Sequence, residues 1–150
     1  MKYNFVAIPR NGSTSISSLL GIPVEHVRAS EVPAPRFAVV RHPWHRACSA
    51  YRQALTNPHS LAKECLGKAK SFREFLLQDN LLTWSQSYWL NDSINIMLRF
   101  ENLSEDYKMM FNNYLPHMNK SPNIDIGNDT CDDLIESLYQ EDFERFNYVS

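Results

Sequence analysis

Tyr3-Asn4-Phe5-Val6-Ala7-Ile8-Pro9-Arg10-Asn11-Gly12-Ser13-Thr14-Ser15-Ile16-Ser17-Ser18-Leu19-Leu20 decides how the chain is read. Tyr3 to Ile8 is a short apolar run that stops at a proline, the pattern of a buried strand. Arg10 to Ser15 is turn chemistry, and Ser13 or Thr14 is placed to cap a helix. Ile16 to Leu20 gives that helix, closed by Gly21 and Pro23. A strand, a glycine-bearing loop and a helix N-terminus in succession turn backbone N–H groups toward one point. Arg10 adds a planar cation that can grip two oxygens at once. The same residues also fit a plain capped turn.

The pattern repeats further along. Phe37-Ala38-Val39-Val40 is a continuous apolar run of the kind that parallel strands show. It leads into Arg41-His42-Pro43, with Pro43 at a first helical position. Trp44, Ala47, Cys48, Tyr51 and Leu55 then recur at helical spacing as a buried stripe, with Arg46 and Ser49 on other faces. Residues 56–70 are expected to be irregular or weakly helical, Phe72 to Asp79 a short helix, and Ser93 to Phe100 the third strand. Glu101 to Tyr114 reads as a helix and 116–129 as a loop. Asp129 or Thr130 is expected to cap a final helical stretch. Alternation of this kind predicts an α/β domain over residues 1–150, a parallel sheet covered by helices.

Arg41 ends a strand, so its side chain can stand over the carboxyl edge of the sheet, where open α/β folds bind ligands. Ser49 lies two turns into the next helix and is positioned to share an anion with Arg41. Alternatively, Arg41 and Arg46 pair with carboxylates and Ser49 faces water.

Composition supports an anion site without naming the anion. The 150 residues are 43% hydrophobic and 21% charged, ordinary for a globular chain. Residues 1–75 hold eleven Lys/Arg against four Asp/Glu, while 76–150 hold four against thirteen. The net charge of −2 argues against a nucleic-acid binder. The G-x-x-x-x-G-K-[ST] spacing of a nucleoside triphosphatase loop is absent. No apolar run approaches the ~20 residues of a membrane span, and Met1-Lys2-Tyr3-Asn4 carries no signal-peptide pattern. Cys48, Cys65 and Cys131 show neither metal spacing nor a disulfide framework. The expectation is a cytoplasmic protein with no membrane partner.

Together the two constellations resemble the sulfotransferase superfamily that uses 3′-phosphoadenosine-5′-phosphosulfate (PAPS). Ile8-Pro9-Arg10-Asn11-Gly12-Ser13-Thr14-Ser15 resembles its 5′-phosphosulfate loop, and Arg41 with Ser49, inside Arg-His-Pro…Ser-Ala-Tyr, resembles its 3′-phosphate motif. Leu98-Arg99-Phe100-Glu101-Asn102-Leu103, Leu115 to Ser121 and Tyr139 to Tyr148 are similar to later segments of the carbohydrate sulfotransferase branch. The resemblance implies a P-loop-like three-layer fold, PAPS as donor, no metal, and direct transfer of a sulfuryl group to a hydroxyl of a carbohydrate or similar acceptor. It implies that Arg10, Asn11, Gly12, Ser13, Thr14, Ser15, Arg41 and Ser49 bind the donor. Many members carry lysine where this chain has Arg10. A guanidinium stays protonated, so its catalytic role here would be electrostatic.

The acceptor must lose a proton to a base. Glu31, in a stretch similar to the family segment that precedes a Val-Pro, is the first candidate and His26 the second. His42 is expected to hold the turn before Pro43, and His45 to be solvated. Trp84, Tyr88 and Trp89 either line the adenine or acceptor pocket or pack in the core. Gln86 sits where the family often has a glutamine, and Lys120 is placed to touch the nucleotide. The competing functions are a P-loop-type phosphotransferase or kinase and a non-catalytic binder of 3′-phosphorylated adenine nucleotides. The short stretch between Leu20 and Phe37 keeps the second of these open.

Overall fold

The strand over Phe37 to Val40 is the centre of the sheet. In the computed structural model, which describes residues 2–57, 59–115 and 125–150, three parallel strands pair side by side in the order β1 (Asn4–Val6), β2 (Arg36–Val40), β3 (Ile96–Arg99). Phe5 lies opposite Phe37, and Val40 opposite Arg99. All five residues of β2 are buried, as expected for a strand with neighbours on both sides. The chain is thus α/β, with a small three-stranded parallel sheet and the helices α1 (Ser13–Leu20), α2 (Pro43–Thr56), α3 (Ser60–Leu66), α4 (Phe72–Leu76), α5 (Gln86–Trp89), α6 (Leu103–Phe111), α7 (Asp132–Leu138) and α8 (Gln140–Arg145).

The strands are shorter than the apolar runs that encode them. Ala7 to Pro9 leaves the ladder after Val6, and Phe100 opens a 3₁₀ turn, Phe100–Asn102, before α6. Residues 60–66 are helical, contrary to the expected irregular stretch; Ala62 and Cys65 are buried three apart, enough of an apolar stripe for a two-turn helix. The α7 N-cap is Cys131 in a left-handed conformation, not Asp129 or Thr130; Asp129 Oδ1 instead accepts the Cys131 N–H at 3.0 Å.

The described chain gathers into two compact units. Met1–Arg41 and Gln86–Asn119 form the first, and His42–Ser85 and Lys120–Ser150 the second. In the first, Ile16 of α1, Phe37 and Val39 of β2, Leu98 of β3, and Leu103 and Tyr107 of α6 make one apolar cluster. Phe37 packs on Phe111 with ring centroids 4.9 Å apart. Phe37, Val39 and Leu98 share a face because they lie at alternate or paired positions.

In the second unit α2 is the organising element. Ala47, Cys48, Tyr51 and Ala54 are buried against Phe72, Phe75, Ile135 and Phe143. The stripe runs through Ala54, whereas the expected Leu55 is exposed. His42 caps α2 by accepting the Trp44 N–H on Nδ1, and His45 is exposed. Arg46, expected on an open face, is 3% exposed, and its Nη1 donates to the Trp84 carbonyl at 2.8 Å. Burial weakens the Arg46 hold on its proton, while Tyr139 and the buried Asp142 strengthen it. Among the described residues no helix is long and apolar enough to cross a membrane.

Tyr139 donates its hydroxyl to the Thr83 carbonyl at 2.6 Å, and burial pushes its phenol up to about 12. The unfolded chain loses that proton near pH 10, so stability holds below pH 10 and falls between about 10 and 12. The displacement corresponds to roughly 3 kcal/mol. Tyr139→Phe should be less stable at pH 8 by about 1 kcal/mol, the ordinary value of the lost bond. Its urea-denaturation stability should also decline less steeply above pH 10; parallel declines for both proteins would refute this.

Candidate functional site

The loop after β1 is held in an uncommon backbone shape. Arg10 (φ 68°) and Gly12 (φ 81°) are both left-handed. For Gly12 this is free, but for Arg10 it costs about 1–2 kcal/mol. Local bonds hold the strained shape. The Asn11 N–H and the Ser13 hydroxyl both donate to the Ile8 carbonyl, at 3.3 and 2.7 Å.

Because the Ser13 hydroxyl turns back to Ile8, neither it nor Thr14 caps α1. The N-cap is Gly12, which has no side chain to offer, and the first turn carries no acid. The first intrahelical bond is Ile16 N–H to the Gly12 carbonyl at 3.2 Å. The N–H groups of Gly12, Ser13, Thr14 and Ser15 therefore have no acceptor among the described residues. Four adjacent donors at the positive end of a helix form a ready cradle for an anion. Thr14 is exposed, and Ser13 and Ser15 are buried.

A buried polar network ties this loop to the end of β2. Asn11 Nδ2 donates to the Val39 carbonyl and to Gln86 Oε1, both at 2.8 Å. Gln86 Oε1 also accepts the Arg41 N–H, and its Nε2 donates to the Arg41 carbonyl, again at 2.8 Å each. The Arg41 guanidinium stacks over the Phe100 ring at 3.9 Å and donates through Nη1 to the Arg10 carbonyl at 2.9 Å. Two adjacent strand ends, β1 through its loop and β2 through Arg41, thus meet at one place on the carboxyl edge of the sheet.

The candidate bases separate. His26 Nδ1 lies 2.8 Å from the Ala7 carbonyl, just ahead of the loop, and its ring stands edge-on to Trp89. A carbonyl only accepts, so Nδ1 carries the proton, and the neutral imidazole has its lone pair on Nε2. Glu31 belongs to a 3₁₀ turn, Ala29–Glu31, and its exposed carboxylate accepts the Arg28 N–H at 3.3 Å. Two residues later the Pro33 carbonyl accepts from the side chain of Asn4, the first residue of β1. The Glu31 segment therefore leads to the amino edge of the sheet, away from the loop.

Ser49 is buried in α2 and belongs to the second unit, whereas Arg41 closes the first. Trp84 likewise lies in the second unit and donates Nε1 to Asp79 at 2.6 Å. Tyr88 stacks under the Arg28 guanidinium at 4.1 Å, and Trp89 is buried, both in the first unit. Lys120 and most of the Leu115–Ser121 stretch lie outside the described residues.

Sequence reasoning missed the part that Gln86 and Phe100 play. Nothing in the neighbours of Gln86 forecasts an amide bonded to a strand end 45 residues earlier. No family model, curated protein or solved structure matches the chain.

Asn11→Ala removes two buried bonds and leaves the Val39 carbonyl unanswered, an expected loss of about 2–3 kcal/mol. Asn11→Asp should cost more, because an acceptor would then face two acceptors. Urea midpoints should fall in the order wild type, Asn11→Ala, Asn11→Asp; an Asp variant as stable as wild type would contradict the network.

Proposed function

We propose that the chain is a sulfotransferase that moves a sulfuryl group from PAPS to a hydroxyl acceptor, on a P-loop-like sheet edge. The supporting observation is the meeting of four unengaged N–H donors with the ends of two adjacent strands, each marked by an arginine. A donor with anionic groups at both ends of one nucleoside suits that pairing. The Gly12–Ser15 donors and Arg10 would hold the 5′-phosphosulfate, and Arg41 the 3′-phosphate.

In this reaction the acceptor oxygen attacks sulfur in line with the bond to the bridging phosphate oxygen. The new S–O bond forms as the bridging bond breaks, and the electron pair stays on the departing phosphate. Backbone donors already aimed at that oxygen stabilise the growing charge without reorganising, and Arg10 adds a fixed positive charge. Positioning supplies most of the remaining rate, as in phosphoryl transfer. The acceptor proton goes to His26 Nε2, which the Ala7 bond leaves in the basic tautomer. His26 takes precedence over Glu31, whose carboxylate caps its own turn.

Calorimetric titration should show the desulfated product, 3′-phosphoadenosine-5′-phosphate, binding at least tenfold more tightly than AMP or ADP. Arg41→Ala should weaken it by about 10- to 100-fold, the equivalent of 1.5–3 kcal/mol for a charge-assisted bond. Arg10→Ala should chiefly lower transfer of labelled sulfate from PAPS to a carbohydrate panel. Binding of ATP–Mg²⁺ in preference to the 3′-phosphorylated nucleotide would overturn the assignment in favour of a phosphotransferase. Tight nucleotide binding with no transfer to any acceptor would leave a nucleotide-binding module.

A further inference from the structure

We infer that Gln86 is a positioning residue that sets the preference for a 3′-phosphate, an inference that rests on the donor assignment above. β2 makes its last ladder pair at Val40, opposite Arg99, and α2 begins at Pro43. The Arg41 peptide therefore lies beyond the last ladder pair, with an N–H and a carbonyl that both require partners. Unmet groups of this kind cannot stay buried.

Gln86 meets them both. Its amide, 0% exposed, accepts from the Arg41 N–H and donates to the Arg41 carbonyl, the two bonds that a neighbouring strand would otherwise make. With the peptide fixed on both sides, the Arg41 Cα–Cβ direction is fixed. The guanidinium is then laid on the Phe100 ring and against the Arg10 carbonyl. The same Oε1 receives Asn11 of the loop, so the arginine and the N–H cradle take their positions from one side chain. Three hydrogen bonds converging on one buried side chain restrict how far it and its partners can move.

The two halves of the site do not depend on Gln86 equally. Without it, Asn11 keeps its bond to Val39 and Ser13 its bond to Ile8, so the loop retains its anchors. Arg41 loses the two bonds that Gln86 makes to its peptide. Removing the amide should therefore damage recognition of the 3′-phosphate more than that of the 5′-phosphate.

The test compares Gln86→Met, which keeps the shape without the hydrogen bonds, with Gln86→Glu, which keeps the acceptor but cannot donate to Arg41. Leu103→Ala, a core change outside the network, controls for lost stability. Calorimetry would measure 3′-phosphoadenosine-5′-phosphate and AMP on each folded protein. The expected result is a tenfold or greater loss for the 3′-phosphorylated nucleotide in Gln86→Met, a change of threefold or less for AMP, and an intermediate loss in Gln86→Glu. Leu103→Ala should keep the wild-type ratio. An unchanged ratio in Gln86→Met, or equal losses for both nucleotides, would overturn the positioning role. Should Gln86→Met fail to fold, the ratio in Gln86→Glu decides by the same rule. A wild type with no preference between the nucleotides would instead overturn the donor assignment, a result distinct from either.

Discussion

A strand that turns into a helix leaves peptide groups behind at both sides of the turn, and what becomes of them shapes the first unit. At the end of β1 the helix N-terminus arrives with a glycine cap, so four N–H groups stay unengaged among the described residues. At the end of β2 the reverse holds: the Arg41 peptide is answered twice, by a glutamine brought from far along the chain. One strand end is kept open and its neighbour is locked. Asn11 links the two, at the expense of a left-handed arginine beside it.

The second unit is built on different grounds. α2 carries its apolar stripe through Ala47, Tyr51 and Ala54, and it also buries Arg46. A guanidinium taken from water needs compensation, and the Trp84 carbonyl together with the nearby Asp142 provides it. That network gives a structural role to one of the basic residues counted in the positive excess of the first half. Part of the positive excess in residues 1–75 is structural: Arg36, too, is buried, with Nε on the Val32 carbonyl at 2.6 Å and Nη2 on Asp92 at 3.4 Å.

The three parallel strands were legible because continuous apolar runs such as Phe37 to Val40 have few other uses in a short chain. Pro43 at the start of α2 and Gly21 at the end of α1 were legible for the same local reason. The helix over 60–66 was not, since its buried stripe is only Ala62 and Cys65. At the site, Arg10 to Ser15 and Arg41 could be read from strand-to-helix spacing. The bonds of Gln86 could not, because they span 45 residues or more and leave no periodic trace. Glu31 was favoured by its place in the sequence, but its carboxylate closes a turn of its own; His26, further from β2 in sequence, is the one bonded beside the loop.

On the proposed function, the open donors after β1 and the locked arginine after β2 bind one ligand together. Nitrogen–proton correlation spectra recorded during titration with 3′-phosphoadenosine-5′-phosphate address it most directly. The amides of Gly12, Ser13, Thr14 and Ser15 and the Arg41 Nε–H are expected to shift together along one binding curve. Saturation of the nucleotide with those five signals unmoved, or with the loop and Arg41 responding to separate curves, would contradict it.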